Sequence, residues 1–195
     1  MQPQTFVFFG IAGGGKGTQI KLLTDFLNNK YELESVYAGT GEGFRQMINS
    51  DSYTSTLVKE KMARGEYIDD FLTNAIFTNM LTSSLTLNKN LIADGYPRTV
   101  PQSEVFFNMM KFFKRDEVKI VYIEVGKEES MKRNLLRGRA DDTEEGLNKR
   151  FDEYMNKVIP AMNFFKDKEN YKIYTINGEQ SVDDVHKDII KALGY

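Results

Sequence analysis

Five short apolar runs punctuate the chain: Phe6–Phe9, Leu33–Ala38, Leu91–Asp94, Val118–Val125 and Tyr171–Ile176. Each reads as a strand, and the unbroken apolar character of the first is that of a strand buried on both faces. Between the runs, apolar residues recur at helical spacing, as with Ile20, Leu22, Leu23, Phe26 and Leu27 in the segment Gln19–Asn28. Further helices are predicted around Phe44–Asn49, Tyr53–Arg64 and Asp69–Leu87, with breaks at Ser50-Asp51-Ser52 and at Gly65. Pro101 opens another helix at a first-turn position, where its missing N–H costs nothing. Lys127–Arg137 and Val182–Leu193 complete the helical pattern, together with a helix from Thr143 to about Val158. For that last helix, Asp142 with Glu145 three residues on predicts a capping box. Strands alternating with helices imply an α/β fold with a parallel sheet covered on both faces, and ligands bound beyond the carboxyl ends of its strands.

Composition narrows the class without naming a chemistry. A chain of 195 residues makes one compact domain with room for small inserts. Its net charge of −2 gives no reason to expect nucleic acid or an anionic membrane as partner. The absence of cysteine excludes disulfides and any thiolate zinc site. No run approaches the ~18 apolar residues of a membrane helix, and Met1–Phe9 lacks a basic leader. A cytoplasmic location is the default expectation.

The chemistry begins where the first strand ends. Gly10, Gly13, Gly14, Gly15 and Gly17 free the backbone to turn around an anion. Lys16 adds a point charge for phosphate, and Thr18 a hydroxyl able to ligate magnesium. The helix that follows would aim the positive end of its dipole at the phosphates. A bare glycine loop is the competing reading, but the order strand, loop, helix is that of a nucleotide-binding P-loop. The strict pattern wants Ser or Thr directly after the lysine, whereas here Gly17 intervenes.

Asp94 ends the third strand within Asp94-Gly95-Tyr96-Pro97-Arg98. It suits a magnesium ion, directly or through water, and equally a turn aspartate capping its own backbone. Arg133 and Arg137 lie four apart on one helix, Arg139 follows after a single glycine, and Arg150 flanks the apolar stripe of the next helix. Such a cluster fits phosphate oxygens, or else a solvated basic surface paired with Glu144, Glu145 and Asp152. Thr40, Arg45 and Arg98 suggest a second phosphate site. Two polyphosphate sites with no nucleophile–base pair point to phosphoryl transfer, which demands positioning and charge neutralisation. The lone His186 reads as a surface residue near Asp183 and Asp184, so hydrolysis by a Ser–His–Asp or Cys–His constellation is disfavoured.

These residues resemble the adenylate kinases, within the nucleoside monophosphate kinases, over almost the whole chain. The shared stretches are Gly13-Gly14-Gly15-Lys16-Gly17-Thr18, Thr40-Gly41-Glu42-Gly43-Phe44-Arg45, Asp94-Gly95-Tyr96-Pro97-Arg98-Thr99 with Gln102, and Arg139-Ala140-Asp141-Asp142. The resemblance implies a P-loop NTPase-type five-stranded parallel sheet forming a core of residues 1–38, 69–136 and 143–195. It also implies a small helical AMP-binding insert over 39–68 and a vestigial lid over 137–142. It implies ATP and AMP as substrates, magnesium, and reversible transfer of the ATP γ-phosphoryl group to give two ADP. Lys16 and the amides of Gly13–Thr18 would hold the ATP phosphates. Arg133 would stack on the ATP adenine near the Gln180 backbone, and Asp94 would position magnesium through water. Thr40, Arg45, Gly95, Arg98 and Gln102, with the backbone of Glu66, Tyr67 and Ile68, would hold AMP, Gln102 facing its base. Arg137, Arg139 and Arg150 would neutralise the phosphates during transfer.

The chain departs from the family pattern in three places. Ile11-Ala12 stands where the family usually includes proline, which predicts a looser loop entry. Glu42 and Gly43 replace an aspartate and a bulky apolar residue. Gly138 alone separates Arg137 from Arg139, so the lid is nearly absent. UMP/CMP kinase is the neighbouring alternative, disfavoured by Thr40 and Gln102; a nucleotide-binding module without catalysis is the alternative of another class. A monomer is the default, with a homo-oligomer left open.

Overall fold

A computed structural model describes residues 2–115, 117–138 and 143–195; the lid residues Arg139, Asp141 and Asp142 fall outside these. Five parallel strands, β1 (Thr5–Phe9), β2 (Ser35–Gly39), β3 (Asn90–Asp94), β4 (Val118–Glu124) and β5 (Tyr171–Asn177), form one sheet in the order β2-β3-β1-β4-β5. In the central strand Val7 pairs with Ala93 on one side and Ile120 on the other. All five residues of β1 are buried, as expected of a parallel strand covered on both faces. The switch in strand order beside β1 opens a crevice at the carboxyl ends, where the phosphate-type loop lies.

The helices are α1 (Lys16–Tyr31), α2 (Thr40–Met47), α3 (Tyr53–Ala63), α4 (Asp70–Ser84), α5 (Val100–Phe112), α6 (Lys127–Arg137), α7 (Glu144–Glu153), α8 (Ile159–Asn163) and α9 (Val182–Leu193). The main core is rich in aromatic rings. Phe77 stacks on Tyr96 with ring centroids 4.1 Å apart, and Phe106 meets Phe165 edge-on at 6.0 Å. Each such fully buried side chain contributes about 1.5–3 kcal/mol before entropy is counted. A separate cluster of Phe44, Val58 and Ile68, flanked by Met47, Ile48 and Met62, packs the α2–α3 segment.

Three differences from the sequence reading bear on the site or have a local cause. α2 starts at Thr40, directly after β2, rather than at Phe44. The cap of α7 is Thr143, whose hydroxyl accepts the Gly146 N–H, the third amide of the helix, at 3.1 Å; the Asp142 of the sequence reading lies outside the described residues. The expected helix to Val158 also widens into a π-helical turn over Tyr154–Val158 before continuing as α8. Pro160 lies in the first turn of α8. It cannot donate a ladder bond and crowds the carbonyl four residues back, and widening the helix accommodates both.

Candidate active site

β1 runs into the glycine loop, and α1 leaves it with no side-chain cap and no acid in its first turn. Its first amides are therefore open to an anion. Gly13 takes a φ of 77°, and a Cβ there would lie 2.5 Å from Asn134 Nδ2. Asn134 Nδ2 and Ser130 Oγ both donate to the Ala12 carbonyl, at 2.9 and 2.8 Å, and both residues are buried. Two hydrogen bonds from α6 thus brace a loop entry that the sequence pattern suggested would be loose. Lys16 Nζ donates to the carbonyls of Gly10 and Ile11 at 2.7 and 2.9 Å. Burial lowers its pKa, Arg98 and Arg137 push the same way, and Asp94 opposes them.

Asp94 closes β3 opposite Phe8 of β1. Tyr37 Oη donates to Asp94 Oδ2 at 3.0 Å. The tyrosine ring folds back over Gly39, where a Cβ would lie 2.4 Å from its hydroxyl. Burial, and then the neighbouring Asp94 charge, raise the Tyr37 pKa, so the hydroxyl keeps its proton.

The next turn forms the other end of the cavity. Gly95 takes a φ of 70°, and its carbonyl accepts from Thr40 Oγ1 and from Arg98 Nε, each at 2.8 Å. A Cβ on Gly95 would approach Arg98 Nη2 to 2.7 Å. Gln102 is buried; its Oε1 accepts the Arg98 N–H at 2.8 Å and its Nε2 donates to Asp70 Oδ1 at 2.8 Å. Thr99 Oγ1 donates to the second Asp70 oxygen at 2.8 Å. Arg98 is thereby fixed by backbone and side chain together.

One cavity joins these two ends. It is lined by the loop from Gly13 to Thr18, by Thr40 and Arg45, by Glu66–Ile68, by Asp94, Gly95, Arg98 and Gln102, and by Arg133, Arg137 and Arg150. Arg133 Nε pairs with Glu129 at 2.7 Å, and its Nη1 donates to the Gly178 carbonyl at 3.0 Å. Gln180 is not among the lining residues; its side chain donates to the Asn177 carbonyl and to Asp188. Arg139 lies outside the described residues. His186 stands apart from the cavity, its ring 6.3 Å from that of Phe26.

Sequence reasoning missed Tyr37, Ser130 and Asn134. The one signal for the last two was a pair of polar residues four apart on α6, the helix that also carries Arg133 and Arg137. Tyr154 and Val158 of the π-helical turn also line the cavity. With a loop for one phosphate chain, a second anchored arginine site and further arginines between, the arrangement can hold two phosphorylated ligands end to end.

Known proteins of similar sequence point to one family. A family model described as adenylate kinase matches residues 8–170. An adenylate kinase of Thermosipho africanus is 32% identical, with 96% of this chain and 98% of the relative covered. One of Prochlorococcus marinus (strain MIT 9301) is 35% identical over 83% and 84% of the two chains, and one of Bacteroides fragilis (strain YCH46) is 32% identical over 96% of each. The Thermosipho africanus alignment runs over 218 positions, more than this chain possesses. That relative therefore carries residues without a counterpart here. The chain belongs to the adenylate kinase family.

Proposed function

We propose that this cavity transfers the γ-phosphoryl group of ATP to AMP, reversibly and with magnesium, giving two ADP. The observation that carries the reading is the joining of the Gly13–Thr18 loop and the Thr40–Gly95–Arg98 site in one cavity, with Arg137 and Arg150 on its wall. Little covalent chemistry is required of the protein, so catalysis rests on alignment and on charge placed where it develops.

The ATP phosphates would sit on the α1 amides, with Lys16 exchanging one of its carbonyl partners for a phosphate oxygen. The AMP phosphate would be gripped by Arg98 and Arg45, with Thr40 and the Glu66–Ile68 backbone beside the nucleoside. Gln102 would face the adenine, exchanging its bond to Asp70 for one to the base. Arg133 would lie over the ATP adenine, near the Gln180 backbone. Arg137, Arg139 and Arg150 would neutralise the group in flight. The donor set for magnesium is hard oxygen, namely the Thr18 hydroxyl and, through water, the Asp94 carboxylate that Tyr37 holds in place. Bound magnesium would offset the charge of the phosphate oxygens.

The separate packing of Phe44, Val58 and Ile68 supports an acceptor-binding insert over 39–68. A lid reduced to 137–142 belongs to the same reading, since Gly138 alone separates Arg137 from Arg139. Small-molecule nucleotides are the partners in this reading, and a cytoplasmic monomer is its simplest setting; no helix among the described residues is long and apolar enough to cross a membrane. The test is stoichiometry: with ATP, AMP and magnesium, two ADP should appear per AMP consumed, and a chelator should stop the reaction. One ADP per ATP, indifferent to AMP, would contradict the reading.

A further inference from the structure

Residues 64–68 lead from the end of α3 to α4 as a strap along the acceptor half of the cavity, and its successive residues are anchored to different bodies. Glu66 Oε1 receives Arg64 Nε at 3.1 Å and Lys149 Nζ at 3.0 Å, and Lys149 belongs to α7. Gly65 abuts the same helix, since a Cβ on it would lie 3.0 Å from the Gly146 carbonyl oxygen. Ile68 is buried with Phe44 and Val58, and its carbonyl accepts from Thr73 Oγ1 at 3.3 Å. Tyr67, between these anchors, packs against the main core instead, and its ring lies 4.9 Å from Arg98 Cζ.

Arg98 is thus held from two directions. The Gly95 carbonyl takes its Nε, which fixes one edge of the guanidinium. The Tyr67 ring faces the group and attracts the cation through its quadrupole. An arginine side chain otherwise samples many rotamers, and ordering it before a phosphate arrives removes that cost from binding. We infer that Tyr67 is a positioning residue whose ring presets Arg98 for the acceptor's phosphate, with the Glu66–Lys149 pair fastening the strap to the helix that carries Arg150. The inference rests on the reading of Arg98 as the acceptor-phosphate ligand.

The test compares Tyr67→Phe with Tyr67→Leu. It uses whichever nucleoside monophosphate the wild type phosphorylates fastest, so an error in the AMP assignment shows in the wild type alone. Tyr67→Leu should raise KM for the acceptor about 5- to 10-fold, the size of a lost cation–π contact in a partly buried site, and leave KM for ATP within about 2-fold. Tyr67→Phe keeps the π face and should restore the acceptor KM to within about 2-fold of wild type. In an Arg98→Lys background, Tyr67→Leu should add little, because its route of action is gone. Should Tyr67→Leu fail to fold, Tyr67→Met supplies comparable bulk without a ring. Equal acceptor KM values for the ring-bearing and ringless forms would overturn the inference. So would a full additional loss in the Arg98→Lys background, which would place the ring against the nucleotide itself.

Discussion

Tyr37 reaches Asp94 only because Gly39 leaves room for its ring, so the residue that orients the candidate metal-side carboxylate depends on a glycine two positions away. Removing the hydroxyl costs one hydrogen bond to a charged group, about 1.5–3 kcal/mol at most. Tyr37→Phe should therefore raise the magnesium concentration needed for half-maximal turnover and lower kcat roughly 3- to 10-fold, with KM for AMP unchanged. A magnesium titration of the rate checks this, and an unaltered titration curve would count against the role. At this scale, the residues legible in the sequence were those whose own chemistry announces phosphate: Lys16, Thr18, Asp94 and the arginines. Tyr37, Ser130 and Asn134 were not legible, because each acts on a partner far away along the chain, 57 positions for Tyr37 and 122 for Asn134. A tyrosine on a strand or an asparagine on a helix carries no local mark of such a contact.

Among the elements, β1 to β5 and helices α6 and α9 were readable from apolar periodicity, and their bounds shift by no more than two residues. Where the reading failed, tertiary geometry or a neighbouring residue decided. α2 begins at Thr40 because that threonine is tied to Gly95 across the sheet edge, and the π-helical turn answers to Pro160. The strap before α4 was legible as a break at Gly65 and, through the family resemblance, as an AMP-holding backbone over Glu66–Ile68; its attachment to α7 through Glu66 and Lys149, which spans 83 positions, was not. That attachment has a pH signature. Hydrogen bonds from Arg64 and then Lys149 hold the Glu66 carboxyl down at about 2, against an ordinary 4.5. A carboxyl depressed in the folded state contributes stability above its unfolded pKa and loses it as pH falls through the folded value. The melting temperature of wild type should exceed that of Glu66→Gln at neutral pH, and the gap should close between pH 4.5 and about 2. A gap independent of pH would mean that the pair does not form in solution.

For the whole molecule, alternating strands and helices made a parallel sheet expected, but no local pattern encodes the order β2-β3-β1-β4-β5. That order matters, because it brings β3 beside β1 and so sets Asp94 and Arg98 against the glycine loop. Two motifs 78 residues apart, at Lys16 and Asp94, thereby come to line one cavity. On the proposed reading, with a reduced lid, the acceptor-side insert and its strap would take a larger share in shaping that cavity, and base selection would fall to Thr40 and Gln102. The central claim is therefore that the acceptor is AMP. Rates of phosphoryl transfer from ATP and magnesium to AMP, CMP, UMP and GMP, compared as kcat/KM, measure it directly. The account predicts AMP ahead of each alternative by at least tenfold, about 1.4 kcal/mol of transition-state discrimination; a preference for CMP or UMP would contradict it.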